Sequence, residues 1–230
     1  MMSRTHLAVG MATALALVST DSPIDCAVVL AGGALGGVFA DVDTLKNDYK
    51  HDALIGEALA FGIVFLTVLF DLVSGRTVVH SIMENKSTIL AGTVGFILLW
   101  ALGFTREHRT FTHSIIAAIL FSVTIGIIYP LFGFAGLVGY FSHIILDFLN
   151  KKGIQLFFPF RRRICLNLCY ASKTANTVFM VVGFFATAAL RRTPSIGRAA
   201  SGASSGIPRS WYSCLTKGLP WNMPSAVRRP

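Results

Sequence analysis

Ala53–Val73 reads ALIGEALAFGIVFLTVLFDLV, and this stretch decides the fold. A helix needs about 20 apolar residues to cross the hydrocarbon core of a bilayer. Here the only charges are Glu57 and Asp71, each near one end. Thr88–Phe104 is a second such run. Leu7–Ser19, Ile24–Ala40, His113–Ile128 and Phe132–Leu149 are shorter, and some fall near the lower limit for a crossing. The fold expected is all-α, a polytopic membrane helical bundle with about six transmembrane helices. Composition agrees. The chain is 53% hydrophobic with a mean hydropathy of +0.64, and only 13% of it is charged. A soluble domain carries about 25% charged residues. Arg4 before Leu7–Thr20 imitates a signal peptide. Cleavage there would discard His6, so an uncleaved first helix is expected.

The polar groups between the runs obey a parity. If the first run starts on one side, the second returns at Asp41 and the third leaves near Ala53. The fourth returns near Thr105, the fifth leaves from His113 and the sixth returns near Asp147. His6, Asp41, Asp43, His108, His113, His143 and Asp147 therefore share one side, and of six histidines only His80 falls on the other. The shared side carries Arg4, Lys46, Lys50, Arg106, Arg109, Lys151, Lys152, Arg161, Arg162, Arg163 and Lys173, against Arg76 and Lys86 opposite. The positive-inside rule makes the shared side cytoplasmic.

The net charge of +9 has the same source. Basic loops beside membrane helices set orientation and touch anionic lipid, with Arg161, Arg162 and Arg163 the densest group. No nucleic-acid-binding motif is present, and no nucleic acid partner is expected. Cys26, Cys165, Cys169 and Cys214 lack the paired spacing of a zinc ribbon and read as ordinary thiols. Thr177–Leu190 is a seventh apolar run, too short to span comfortably, and is expected to be interfacial or re-entrant. Residues 191–230 hold seven Lys or Arg and no Asp or Glu, with much Ser, Gly and Pro, and read as a disordered basic tail. The expected organisation is a membrane domain over 1–176, the short segment 177–190 and the tail 191–230.

Neutral imidazoles and carboxylates are common ligands of zinc, manganese and iron. His143 and Asp147, four apart, lie on one helical face and can share an ion, or the Asp can orient the His. Ionisable groups in an apolar helix are costly and usually functional. His108-Arg109-Thr110-Phe111-Thr112-His113-Ser114 is the densest polar cluster beside a membrane segment, with Thr112 the expected N-cap of the next helix. Asp41-Val42-Asp43 follows the second helix, and His6 is a further donor. His51 and Glu57 are reserve candidates on the same side, and Asp71 is expected to cap or snorkel at the other. Seven donors exceed one tetrahedral site, and a two-metal centre would use them well.

Thr5-His6-Leu7, Ala40-Asp41-Val42-Asp43, the His108–Ser114 cluster and Gly139-Tyr140-Phe141-Ser142-His143-Ile144-Ile145-Leu146-Asp147 resemble the YdjM-like predicted membrane-bound metal-dependent hydrolases. That family includes a LexA-regulated bacterial inner-membrane protein. Lys152–Phe160 looks like the family's stretch after the last ligand helix, and the resemblance covers roughly residues 1–165. Thr44 stands where members often carry His.

The resemblance implies a multi-pass inner-membrane protein with a hydrolase site, and LexA control implies an SOS response setting. In this reading His6, Asp41, Asp43, His108, His113, His143 and Asp147 hold the metal, with zinc or manganese expected. Asp41 or Asp43 acts as general base, and Arg109 binds an anionic group or stabilises developing charge. A phosphoester of a lipid or lipid-linked substrate fits the location. The alternatives are a non-catalytic metal-binding membrane protein and an ion or proton transporter. Against the transporter, the ionisable groups gather at one face.

Overall fold

The computed structural model describes residues 2–20, 22–46, 50–166 and 173–192. The first helix, α1, is Ser3–Leu17 and the second, α2, is Pro23–Phe39. A 3-10 turn, Ala40–Lys46, follows α2. Then come α3 Lys50–Ser74, α4 Thr77–Met83 and α5 Lys86–Thr105. A second 3-10 turn, Phe111–His113, leads into α6 Ile115–Ile128 and α7 Pro130–Phe148, and α8 is Lys173–Arg192. The described residues form a helical bundle, as the apolar runs predict.

Local chemistry sets the helix starts. Ser22 caps α2 by accepting from the Asp25 N–H, and Pro23 takes the first turn, where a missing N–H costs nothing. Pro130 does the same for α7. The stretch between α3 and α5 contains the short helix α4. Asp71 makes that helix by accepting from the Val78 and Val79 N–H groups at 3.1 and 2.7 Å and from the Thr77 hydroxyl at 3.0 Å. It is therefore a cap, as its position near a helix end suggests.

Small residues place α2 at the centre. Two glycine pairs lie at i, i+4 and form two adjacent grooves. Gly33 and Gly37 face α1. A methyl group added to Gly37 would stand 2.6 Å from the His6 carbonyl. Gly32 and Gly36 face α7, where a methyl on Gly36 would collide with the Gly136 carbonyl. Such close backbone approach is how membrane helices pack without a hydrophobic drive between them.

Among the described residues, four helices are long and apolar enough to cross a membrane: α2 with its following turn, α3, α5 and α7. α1 and α6, with 15 and 14 residues, are shorter. α3 and α5 expose Phe65, Leu66, Leu90, Leu98 and other large apolar side chains, the surface that lipid covers in a multi-pass protein. α8 lies along α1. The Thr5 hydroxyl donates to the Asn176 carbonyl at 3.2 Å, and Gly183 packs on Ala8. The tail expected over 191–230 lies outside the described residues beyond Arg192.

Candidate metal centre

The centre forms where α1, the turn after α2, the α5–α6 connector and the end of α7 meet. All seven residues that parity assigned to one side converge there. Among the described residues, three groups could each hold an ion, with donor atoms within 4.8 Å of one another. They are His6 with His143 and Asp147, Asp41 with His113 and His143, and Asp43 with His108 and His113. His113 and His143 are shared and link the groups into one chain of donors.

The hydrogen bonds sort these side chains. His143 Nδ1 lies 2.8 Å from the Gly37 carbonyl, which only accepts, so the ring proton sits on Nδ1. Nε2 is left with its lone pair directed at His113 Nε2, 3.3 Å away, and Asp41 Oδ1, 3.8 Å away. His113 presents Nε2 to Asp147 Oδ2 at 3.3 Å and Nδ1 to Asp43 Oδ2 at 3.5 Å. His6 stacks on His143 with ring centroids 3.8 Å apart, and its Nε2 lies 3.5 Å from Asp147 Oδ1. The His6 ring is 0% exposed, and among the described residues neither nitrogen has a hydrogen-bond partner. An imidazole left so costs about 1–3 kcal/mol in desolvation. A cation held by the lone pairs of His6 and His143 with Asp147 removes that cost, so the residues fit a metal.

Asp43 and His108 are occupied differently. Asp43 accepts from His108 Nδ1 at 2.7 Å, the Thr112 hydroxyl at 2.5 Å and the Arg109 N–H at 3.2 Å. His108 Nε2 in turn accepts from Arg109 Nε at 3.3 Å. Both nitrogens of His108 and both oxygens of Asp43 are thus engaged within the protein.

Arg109 sits at φ +67°, a left-handed conformation that costs a side-chain-bearing residue about 1–2 kcal/mol. Several contacts hold it there. Its Nη2 pairs with Asp147 Oδ2 at 3.1 Å and its Nη1 donates to the Lys152 carbonyl at 2.5 Å. Its own carbonyl accepts from the Gln155 N–H at 3.1 Å. The segment after α7 therefore forms part of the site wall. It folds back on itself through Ile154 and Ile164, which exchange two N–H···O bonds of 3.0 Å. Its solvent side exposes Arg161, Arg162 and Arg163.

Three buried carboxylates need positive charge nearby. Arg109 supplies part of it. His113, in the connector outside the spanning helices, supplies more while its ring is protonated, and holding a metal through that ring requires release of the proton. Burial disfavours its charged form, but hydrogen bonds to Asp147 and Asp43 outweigh this and raise its pKa to about 9.

The cap assignment needs correction. Thr112 does not cap α6. Ser114 does, accepting from the Ala117 N–H at 3.2 Å, because the Thr112 hydroxyl is committed to Asp43. His113 consequently lies in the turn before the helix. Thr44 donates to the Asp41 carbonyl at 2.8 Å and closes that turn. His51 is exposed and joins none of the three groups. Glu57 also joins none, although its Oε1 is buried without a hydrogen-bond partner. His80 stands on α4 and pairs with Glu84 at 3.4 Å. Sequence reasoning missed two positioning groups, Ser3 and Tyr140. The Ser3 hydroxyl donates to Asp41 at 2.5 Å, and the Tyr140 hydroxyl donates to the Thr112 carbonyl at 2.5 Å. Ser3 carried no signal, whereas Tyr140 lies one turn from His143 on the ligand helix.

A helical bundle with lipid-facing spans and a buried His/Asp cluster at one end defines a multi-pass membrane protein with a candidate metal centre. The chain belongs to the YdjM inner membrane protein family, whose model matches residues 1–207, further than the motifs themselves extend. Its location is accordingly the inner membrane. No curated protein and no solved structure matches the chain.

Proposed function

We propose that the protein is a metal-dependent hydrolase working at the cytoplasmic face of the inner membrane, on a phosphoester of a lipid or lipid-linked substrate. The observation that carries this reading is His6, a fully buried imidazole with no hydrogen-bond partner among the described residues, set against His143 and Asp147. His6, His113, His143 and Asp147 would hold one or two ions, with zinc or manganese suited to this mixed donor set. When bound, such an ion supplies Lewis acidity that acidifies water and polarises a phosphoryl oxygen.

The other groups do their work through these. Asp43 fixes His113 and His108, and the Gly37 carbonyl fixes His143. Asp41, with only the Ser3 hydroxyl on Oδ2, is the carboxylate available to accept a proton as general base. Arg109 reaches Asp147 and is the cation nearest an incoming anionic group. Outside the cluster, exposed Phe157, Phe160 and Arg161–Arg163 form an aromatic and basic edge suited to anionic headgroups.

This division of labour predicts a graded response. Asp43→Ala removes an orienting group and lowers metal affinity about 10–100-fold, the usual effect of losing such a partner. Competition against a chelator measures it, and an unchanged affinity would contradict the orienting role.

Turnover tests the hydrolase. Metal-loaded protein in sealed inside-out vesicles of bacterial polar lipid should release phosphate or a phosphorylated headgroup into the outer medium. In right-side-out vesicles the same product should stay inside, and His113→Ala should produce none. A chain ended after Leu190 should behave like the full chain, because we place the hydrolase-like domain in 1–176 and no proposed ligand lies beyond Asp147. Equal release by the wild-type and His113→Ala proteins would overturn the reading.

A further inference from the structure

α3 and α5 stand apart on the lipid-facing side of the bundle. α3 packs on α2 and α1, and α5 packs on α6 and the turn after α2. Between them lies a cleft of about 180 Å³ lined by Phe61, Phe96, Ile97 and Trp100. Only 17% of the apolar window of each of these two helices is buried, against 67% for α2 and 56% for α7. In a bilayer this cleft opens on acyl chains.

Its position links it to the metal centre. Phe61 is one helical turn beyond Glu57, whose Oε1 is buried, and Glu57 follows Gly56, which packs on Ser3. Ser3 donates to Asp41. On the other wall, Trp100 is three residues before Gly103, which packs between Val42 and Thr112. Val42 separates Asp41 from Asp43, and Thr112 donates to Asp43. Phe96 meets Phe39 with ring centroids 5.4 Å apart, and Phe39 directly precedes Ala40 and Asp41. Each wall thus ends about 5–8 Å along its helix from a glycine that packs against a residue holding a site carboxylate.

We propose that this cleft seats a hydrocarbon chain of the amphiphile whose anionic headgroup reaches the metal centre, so that substrate enters sideways from the bilayer. The proposal rests on the hydrolase reading above and gives it a substrate class, a membrane lipid with a phosphate headgroup. An acyl chain gains no hydrophobic energy on leaving lipid for protein. The cleft selects by packing against aromatic faces, and the headgroup supplies the affinity. The occupant is a chain because every lining residue is apolar and the opening faces lipid.

Photo-cross-linking tests this with the full-length, metal-loaded protein in lipid nanodiscs. The probe is a monoacyl phosphate with a diazirine in mid-chain, compared with its uncharged phosphate triester. Labelled residues are mapped by mass spectrometry, and zinc is measured on the same samples. The phosphate probe should label Phe61, Phe96, Ile97 and Trp100 in preference to Phe65, Leu66 or Leu90. Ile97→Trp should fill the cleft and lose that labelling while keeping the metal, and Phe61→Ala should enlarge the cleft and retain both. His143→Ala should abolish the preference for phosphate over triester yet leave the cleft accessible to either chain.

Uniform labelling over the exposed faces of α3 and α5, or unchanged labelling in Ile97→Trp, would overturn the chain seat. Cleft labelling without headgroup preference in zinc-loaded protein would overturn the link to the site. A wild-type protein that holds no metal but labels in the cleft would sink the hydrolase reading and leave the chain seat standing.

Discussion

Detergent-purified protein carrying His143→Ala should hold no divalent ion, while His80→Ala should hold as much as the wild type. His143 belongs to two of the three donor groups, and its proton is fixed on Nδ1 by Gly37. Structural zinc sites with four ligands bind with about 10–16 kcal/mol, so one ligand is worth about 3 kcal/mol, or about a hundredfold in affinity. That is enough to lose the ion during purification. His80 is the matched control, an exposed histidine on α4 that pairs only with Glu84 among the described residues. Elemental analysis of monodisperse fractions gives the readout. Equal metal in the two variants would remove His143 from the site.

Gly36→Val should prevent assembly of the bundle, whereas Gly62→Val should be tolerated. The side chain added at Gly36 would meet the backbone of Gly136 and Tyr140 on α7. No rotamer change relieves a collision with backbone, so the cost belongs at or above the upper end of the usual overpacking range, about 3 kcal/mol. The only relief is to part α2 from α7. That movement withdraws the Gly37 carbonyl from His143 and breaks the site as well. A side chain at Gly62 on α3 meets open space. Size-exclusion profiles and thermal aggregation of the two variants in detergent should differ accordingly. Similar behaviour would mean that α2 and α7 do not pack in this register.

The convergence of His6, Asp41, Asp43, His108, His113, His143 and Asp147 was legible in the sequence because parity is topological. Each crossing reverses the side, and counting runs needs no knowledge of helix rotation. The count of crossings was less secure, since α1 and α6 are only 15 and 14 residues long. Rotation is what the sequence left open. The Gly32/Gly36 groove for α7 follows from i, i+4 spacing, but spacing does not say which helix fills it. The partners of Asp43, the left-handed Arg109 and the fold-back through Ile154 and Ile164 depend on loop geometry, where no periodicity operates. Thr112 and Ser114 are both good caps, and only the competing demand of Asp43 on Thr112 decides between them.

The central claim is that histidines from α1, the α5–α6 connector and α7 form one metal centre. X-ray absorption at the zinc edge of the metal-loaded, detergent-solubilised protein tests it most directly. The account predicts a first shell of nitrogen and oxygen only, with the outer-shell scattering of several imidazole rings, reduced in samples of His6→Ala reconstituted with zinc. A shell containing sulfur, or one of oxygen alone without imidazole scattering, would contradict it.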